Sequence, residues 1–482
     1  MKILKKASIR LSEQHAVDSG MFSFRDLMER AGNEAATILF DQMDCRGKKI
    51  GVYCGKGNNG GDGCVMAECL AQCGAEVTVV TPFGVPQTEN ARYFYERLTL
   101  SKRAEQADPS QFDLLIDALY GIGLDRPLDE ETVQLIRSLN EAEAFRVAID
   151  LPSGVEADSG KVQGIAFSAD LTITFIALKP CFALPSGSDY CGKTVVADIG
   201  VLALGNDLPV IERPVFPKRK HNAHKGTFGT AVMFCGSYGM AGAAVLAARA
   251  ALRSGCGIVK AVLCDGIYAP FTASVPEAVC LPVKQSENGT LPGDLGLPAV
   301  LSGASAVLIG CGCGCDDHIK TLVRRVSEES TVPLVIDADG INAIGRSIDI
   351  IKNCKSPMIL TPHPGEMARL TGKTVAEVEA DRITVAKEYA AKSGCILVLK
   401  GADTLVAAPN GDVFVNLTGN PGMAKGGCGD VLAGMLVSLL AQGIPPLSAA
   451  KAAVFLHGDA GDKAAAKLGE RAMLASDLIG EI

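Results

Sequence analysis

Gly419-Asn420-Pro421-Gly422-Met423-Ala424-Lys425-Gly426-Gly427-Cys428-Gly429-Asp430 is the stretch whose reading decides the fold of this chain. Behind it Val431, Leu432, Met435, Leu436, Leu439 and Leu440 recur at helical spacing, and Gly443 with Pro445 and Pro446 marks the helix end. A glycine-rich loop therefore runs directly into a helix N-terminus. Free N–H groups and the positive end of the helix dipole make such a junction a site for an anion. The glycines let the backbone approach an oxyanion closely. Asp430 has two readings there: a carboxylate that caps the helix, or a base beside a bound phosphate.

Moving towards the N-terminus, strand patterns keep ending in polar or glycine loops. Ile396 to Leu399 leads to Lys400-Gly401-Ala402-Asp403-Thr404, and Met358 to Leu360 to Thr361-Pro362-His363-Pro364-Gly365-Glu366. Leu334 to Ile336 ends in Asp337-Ala338-Asp339, and Ala306 to Ile309 in Gly310-Cys311-Gly312-Cys313-Gly314. Gly229 to Cys235 enters Gly236-Ser237-Tyr238-Gly239-Met240-Ala241-Gly242-Ala243 and an alanine-rich helix through Arg253. This α/β domain spans 221–482. The segment 212–220, with two prolines and a short basic run, reads as a linker.

Residues 1–211 form a first α/β domain. Helices come first, with Leu27, Met28, Ala31, Ala35, Ile38 and Leu39 on one apolar face. A strand, Ile50 to Cys54, enters Gly55-Lys56-Gly57-Asn58-Asn59-Gly60-Gly61-Asp62-Gly63, and a helix is expected from about Cys64 to Gln72. Strands at 76–80, 112–118, 147–150, 171–176 and 194–199 follow, and right-handed crossovers make the sheet parallel. The third of these precedes Leu151-Pro152-Ser153-Gly154. Ligands bind beyond strand C-termini in such sheets, so Asn58, Asn59, Asp62, Asp117, Asp150 and Ser153 are candidates to converge there. The competing reading is that these residues only serve turns.

Composition narrows the function classes. The chain has 482 residues, 48% hydrophobic and 21% charged, with a net charge of −8. That fits a soluble multi-domain protein and gives no electrostatic case for nucleic acid. No signal peptide is evident, and no apolar run reaches the roughly 18 residues of a membrane span. A cytoplasmic location is expected. The 17 cysteines are odd in number and scattered, which argues against a disulfide framework. Cys311, Cys313 and Cys315 lack a nearby second cluster or histidine, so structural zinc is not expected.

The first half resembles the YjeF N-terminal family, the NAD(P)H-hydrate epimerases. The resemblance rests on 55–63, on 117–124, on Ile149 to Gly154 and on Ala169 to Phe175. It implies a Rossmann-like three-layer sandwich that binds hydrated NADH or NADPH. The substrate residues it implies are Asn58, Asn59, Gly60, Gly61, Asp62, Gly121, Ile122, Gly123, Leu124, Asp125, Arg126, Pro127 and Asp150, with Asp150 next to the reacting ring. It also implies potassium held by Asn59, Asp117 and Ser153, oxygen donors suited to a hard cation. The second half is similar to the ADP-dependent NAD(P)H-hydrate dehydratases of the ribokinase-like superfamily, through His224 to Gly229, 236–243, 361–366, 400–404 and 420–430. That resemblance implies substrate contacts from Ala243, Gly312, Gly314, His363 and Asp430, and nucleotide contacts from Lys400, Gly401, Ala402, Asp403, Thr404 and Gly429. Magnesium and ADP are the implied cofactor and co-substrate. Cys311 and Cys313 depart from the family, which usually carries Pro and a large apolar residue there.

The fused order implies one repair activity. The first domain interconverts the R and S epimers of the C6 hydrate, and the second dehydrates the S epimer with ADP, giving NAD(P)H, AMP and phosphate. The resemblance and the alanine-rich surfaces suggest a homo-oligomer. Two rivals remain at this point: a ribokinase-type small-molecule kinase with an accessory nucleotide-binding domain, and a non-catalytic nucleotide-binding regulator.

Overall fold

The computed structural model describes residues 2–482. The chain divides into two compact units, Met1–Pro209 and Val210–Ile482. Residues 210–220, expected to begin as the end of the first domain and continue as a linker, lie on the second unit. The Ile211 N–H donates to Val415 O at 2.8 Å, Arg213 pairs with Asp459, and the Arg219 guanidinium stacks 3.9 Å from the Phe228 ring centroid.

In the first unit seven strands form one parallel sheet: β1 (Lys49–Cys54), β2 (Glu76–Val80), β3 (Lys102–Ala104), β4 (Leu114–Ala118), β5 (Phe145–Ile149), β6 (Leu171–Phe175) and β7 (Lys193–Ala197). Their order is β3-β2-β1-β4-β5-β6-β7. Alternate residues face opposite cores, as the two-residue period of a strand requires. Ile50, Val52 and Cys54 join Leu27, Leu39, Met66 and Leu70 on one side; Tyr53, Leu115 and Ala148 join Ile136 and Leu139 on the other. This is a three-layer sandwich, as expected. The strand order reverses between β1 and β4, so the crevice for a ligand opens at their C-terminal ends.

The helix after β1 starts at Asn58, not near Cys64. The Asn-Asn-Gly-Gly-Asp run is thus its first turns rather than a loop. Glycine makes this possible by allowing close contact. A Cβ at Gly63 would sit 2.6 Å from Ala118 Cβ, and one at Gly60 would collide with the Gly55 carbonyl.

The second unit carries nine strands: β8 (Thr230–Phe234), β9 (Ile258–Cys264), β10 (Val279–Val283), β11 (Ala306–Ile309), β12 (Leu334–Ile336), β13 (Met358–Leu360), β14 (Ile396–Leu399), β15 (Leu405–Ala407) and β16 (Val413–Val415). The order is β10-β9-β8-β11-β12-β13-β14-β15-β16, parallel through β14 and antiparallel for the last two. Every residue of β11 to β14 is buried, the pattern of a sheet covered on both faces. The Cys428–Ala441 helix is buried from Val431 to Ala441. It rests on the Ala241–Arg253 helix so closely that a Cβ at Gly434 would collide with the Ala247 carbonyl. The order reverses between β8 and β11, which puts the 236–243 and 310–314 loops at the second crevice.

Candidate active sites

The first crevice is a cavity of about 730 Å³. Asn58, Asn59, Asp62, Gly121, Ile122, Gly123, Leu124, Arg126 and Asp150 line it. Gly60, Gly61, Asp125 and Pro127 do not; Gly61 packs instead against Met28 and Ala91. Asp150 follows β5 at φ 65, a left-handed conformation rare outside glycine. Its Oδ2 accepts the Ile122 N–H at 2.9 Å, and Lys179 Nζ lies 2.7 Å from its Oδ1. Gly121 must be glycine, since a Cβ there would stand 2.5 Å from Asp150 Oδ2.

Lys179 is fully buried and also donates to Thr174 Oγ1 at 2.6 Å and Phe175 O at 3.1 Å. The sequence reading missed it. The available signal was a lone lysine in the apolar run Ile176-Ala177-Leu178-Lys179-Pro180. A buried amine persists only with such a full set of acceptors.

Asp117, at the end of β4, accepts the Ser153 hydroxyl at 2.6 Å and the Ser153 and Leu119 N–H groups at 2.7 and 3.1 Å. Burial still pushes its carboxyl up to about 6 against those hydrogen bonds. Beside them, the Asn59 amide donates to Ile149 O at 3.3 Å, but its buried Oδ1 has no partner. Buried carbonyl oxygens seldom lack a partner, so this oxygen has its full capacity to accept a hydrogen bond or to bind a cation.

In the second unit Asp337, at the end of β12, holds the centre. It accepts the Thr361 hydroxyl at 2.6 Å, and Lys400 Nζ is 2.6 Å from its Oδ1 and 3.9 Å from Glu366. Burial opposes the Lys400 charge, but Asp337 and Glu366 outweigh it and hold the amine above its usual range. Asp337 was quoted from the sequence only as a strand end, not as a site residue. Asp430, Asp337 and Cys311 offer ligand atoms within 4.8 Å of one another. Gly429 lies beside them: a Cβ there would stand 3.3 Å from Lys400 Nζ.

Asp430 lies in the first turn of its helix. Gly427 is the N-cap at φ 96 and gives no side-chain cap. No helix N–H donates to the Asp430 carboxylate, so the capping reading falls away. Burial, and then repulsion from Asp337, push this carboxyl up to about 6. Among the anion-loop donors, the Cys428 N–H leans 3.4 Å towards Lys425 O, whereas those of Gly427 and Gly429 have no partner among the described residues.

His363 is the N-cap of the Pro364–Thr371 helix. Its Nδ1 accepts the Gly365 N–H at 3.0 Å, and Glu366 Oε2 accepts its own N–H at 2.8 Å. That ring nitrogen is therefore committed to a turn, while the side chain is half-exposed and its Nε2 lies 3.4 Å from Glu366 Oε1. The 236–243 and 310–314 loops are stitched together: Gly236 N–H to Cys311 O at 2.8 Å, Ser237 hydroxyl to Gly312 O at 2.9 Å, and Gly312 against Ala243. Gly314 donates to Asp339 Oδ2 at 2.9 Å. Behind the 400–404 loop, buried Arg382 donates to Leu399 O, Lys400 O and Ala402 O at 3.1–3.2 Å. Asp403 takes φ 52 there, and burial raises its carboxyl to about 6.

Two units built on largely parallel sheets, each with carboxylates and a lysine gathered beyond strand C-termini, define a two-domain α/β enzyme of the nucleotide-binding kind. Comparison with known proteins specifies it. Residues 231–482 match the family model described as NAD(P)H-hydrate dehydratase, and residues 25–181 that of the YjeF-related protein N-terminus. A protein of Moorella thermoacetica named bifunctional NAD(P)H-hydrate repair enzyme is 36% identical over 94% of this chain and 90% of its own. One of the same name from Escherichia coli is 36% identical over 98% and 92%. Among solved structures, the ADP/ATP-dependent NAD(P)H-hydrate dehydratase of Bacillus subtilis, crystallised with ATP and Mg2+, is 32% identical with a TM-score of 0.49, covering 57% of this chain and 96% of that one. The chain belongs to the bifunctional NAD(P)H-hydrate repair enzymes. No helix among the described residues is long and apolar enough to cross a membrane.

Proposed function

We propose that the chain repairs hydrated NADH and NADPH, with an epimerase in the first unit and an ADP-dependent dehydratase in the second. The observation that carries the assignment to particular residues is the pair of buried carboxylate–lysine contacts, Asp150–Lys179 and Asp337–Lys400, one at each crevice.

In the second unit Asp430 is the base. It takes the proton of the C6 hydroxyl as that oxygen attacks the β-phosphorus of ADP, and AMP leaves. Loss of phosphate from C6 with a proton from C5 then restores the dihydronicotinamide. The unpartnered N–H groups of Gly427 and Gly429 face charge developing on the moving phosphoryl group, and Lys400 adds a fixed positive charge. The 400–404 loop, turned by Arg382, holds the nucleotide. The substrate ring lies between the 236–243 and 310–314 loops. The carboxylates of Asp337 and Asp430 fit a magnesium ion bound mainly through nucleotide phosphates and water, whereas the Cys311 thiol is a poor ligand for it. When bound, magnesium neutralises charge on the phosphates.

In the first unit Asp150 moves a proton at the C6 oxygen, with Lys179 as its counter-charge and positioning group. Asn59, Asp117 and Ser153 fit potassium, because the orphaned Asn59 oxygen gains a partner and all three offer oxygen. Potassium bound there supplies a fixed positive charge beneath the cavity. A ribokinase-type kinase would leave a stable phosphorylated product. Incubating the hydrate with ADP and resolving products by chromatography decides between them: restored NAD(P)H plus AMP and phosphate is expected, and a persistent phosphate ester would overturn the dehydratase assignment.

A further inference from the structure

The N-terminal Lys6–Asp18 helix takes no part in the chemistry above, yet it borders the epimerase cavity. Its buried side is Ile9, Ser12 and Ala16. Ile9 packs with Leu4 and Ala177, and Ile122 and Ile176 join the same small core. Ile122 is the residue that donates to Asp150, and Ala177 lies two positions before Lys179. The helix is pinned in place: the Lys6 N–H donates to Asp158 at 2.8 Å, and Ser12 Oγ accepts the Leu204 N–H at 3.0 Å. Glu13 follows Ile9 by one helical turn on the same face. It thereby lines the cavity that Asp150 and Lys179 line.

Glu13 accepts no hydrogen bond and makes no ion pair among the described residues. The groups facing it are Asp150 and Lys179 from the strand ends, Arg10 from its own helix and Asp62 from the Asn58–Gln72 helix. Burial, then the Asp150 charge, push its carboxyl up to about 7 against the pull of Lys179 and Arg10. An unpartnered, partly buried carboxyl costs stability, and a fold keeps one where chemistry needs it.

Inversion at C6 makes a specific demand. The hydroxyl leaves from one face of the ring and water arrives on the other, so two proton-transfer groups are required. Asp150 is one. We propose that Glu13 is the second acid–base residue of the epimerase site, exchanging a proton with the C6 oxygen on the face that Asp150 does not serve. This rests on the epimerase reading of the first unit. In the step, one carboxylic acid gives its proton to the C6 hydroxyl as the C6–O bond breaks. The bond pair leaves with water, and the N1 lone pair fills the gap as an iminium. Water then adds to the other face, N1 regains its pair, and the surplus proton passes to the other carboxylate. One proton is given and one taken, and nothing is oxidised. The two groups exchange roles in the reverse direction.

The test uses the full-length chain, the isolated R epimer and no ADP, with R and S resolved by chromatography. Wild type exchanges the epimers above the buffer rate. Glu13→Gln slows exchange on the order of 10²–10⁴-fold, in kcat more than KM. The wild-type bell in kcat/KM against pH loses one limb in this variant, and Glu13→Asp restores part of the rate. A wild-type thermal melting profile and a KM within threefold of wild type report that the first unit of the variant is folded. Exchange within threefold of wild type, or slowed exchange that keeps both limbs, overturns the proposal. Absence of exchange by wild type itself overturns the epimerase reading, and Glu13's role with it.

Discussion

Among the described residues the non-glycine positions at positive φ are Asp150, Ile176, Ala338 and Asp403, all in the loops that follow strand C-termini, two in each unit. Each such conformation costs about 1–3 kcal/mol, so strain is concentrated where the two reactions are placed. Asp430 adds an electrostatic cost of the same kind. Its carboxyl is raised from 3.8 to about 6 in the folded chain, so ionisation opposes folding once pH exceeds the unfolded value, and the penalty is complete above about 6. Asp430→Asn should therefore raise the melting temperature at pH 7.5, by on the order of 1–3 kcal/mol in stability, with no gain below pH 4. Thermal melts at the two pH values check this; a loss of stability at pH 7.5 would contradict it. The same substitution should lower ADP-dependent turnover by at least about 10²-fold, and wild-type turnover should rise with pH through about 6 as the base deprotonates. A pH-independent rate between 5 and 8 would remove Asp430 from that role.

At the scale of elements, close packing sets what can move. Gly434→Ala forces a methyl into the Ala247 carbonyl and displaces the helix that begins three residues before Val431. It should cost roughly 1–3 kcal/mol and depress dehydratase turnover while sparing epimer exchange. Denaturant midpoints and the two assays on one sample measure both effects. The same closeness explains what was legible in the sequence. The buried strands β1, β4, β8, β11 and β14 are apolar runs closed by polar loops, and they were found. The edge strands β3 and β10 were not, because their partly exposed residues carry little periodic signal; the buried β15 and β16 are only three residues each, too short to show a period, and the interior strand β9 was also missed. The helix start at Asn58 was misplaced because two asparagines and three glycines have poor helix propensity; packing against Ala118 and Gly55 overrides it. Glu13 was not marked by the sequence, and Lys179 only as a lone lysine in an apolar run, since only the tertiary fold brings their elements to Asp150. His363 went the other way: its sequence setting between two prolines suited both a turn and a ligand, and the turn bond is made.

At the scale of the molecule, the two carboxylate–lysine centres belong to separate sheets with separate crevices. A defect in one should leave the other working. Asp150→Ala should abolish epimer exchange yet dehydrate the S epimer normally, and Asp430→Ala should do the reverse. Mixed in equal amounts, the two variants should together clear both epimers, the S hydrate released by one variant being taken up by the other. Failure of the mixture to clear the R epimer, with each variant folded and active in its own assay, would mean that transfer requires both sites on one chain.

The most direct measurement is to supply wild-type protein with an equal mixture of R and S hydrate and ADP, and follow each epimer and the 340 nm absorbance together. The account predicts that S falls first, R drains through S, and absorbance returns to the value for complete recovery of NAD(P)H with one AMP and one phosphate per turnover. Recovery that stops at half, with R untouched, would contradict it.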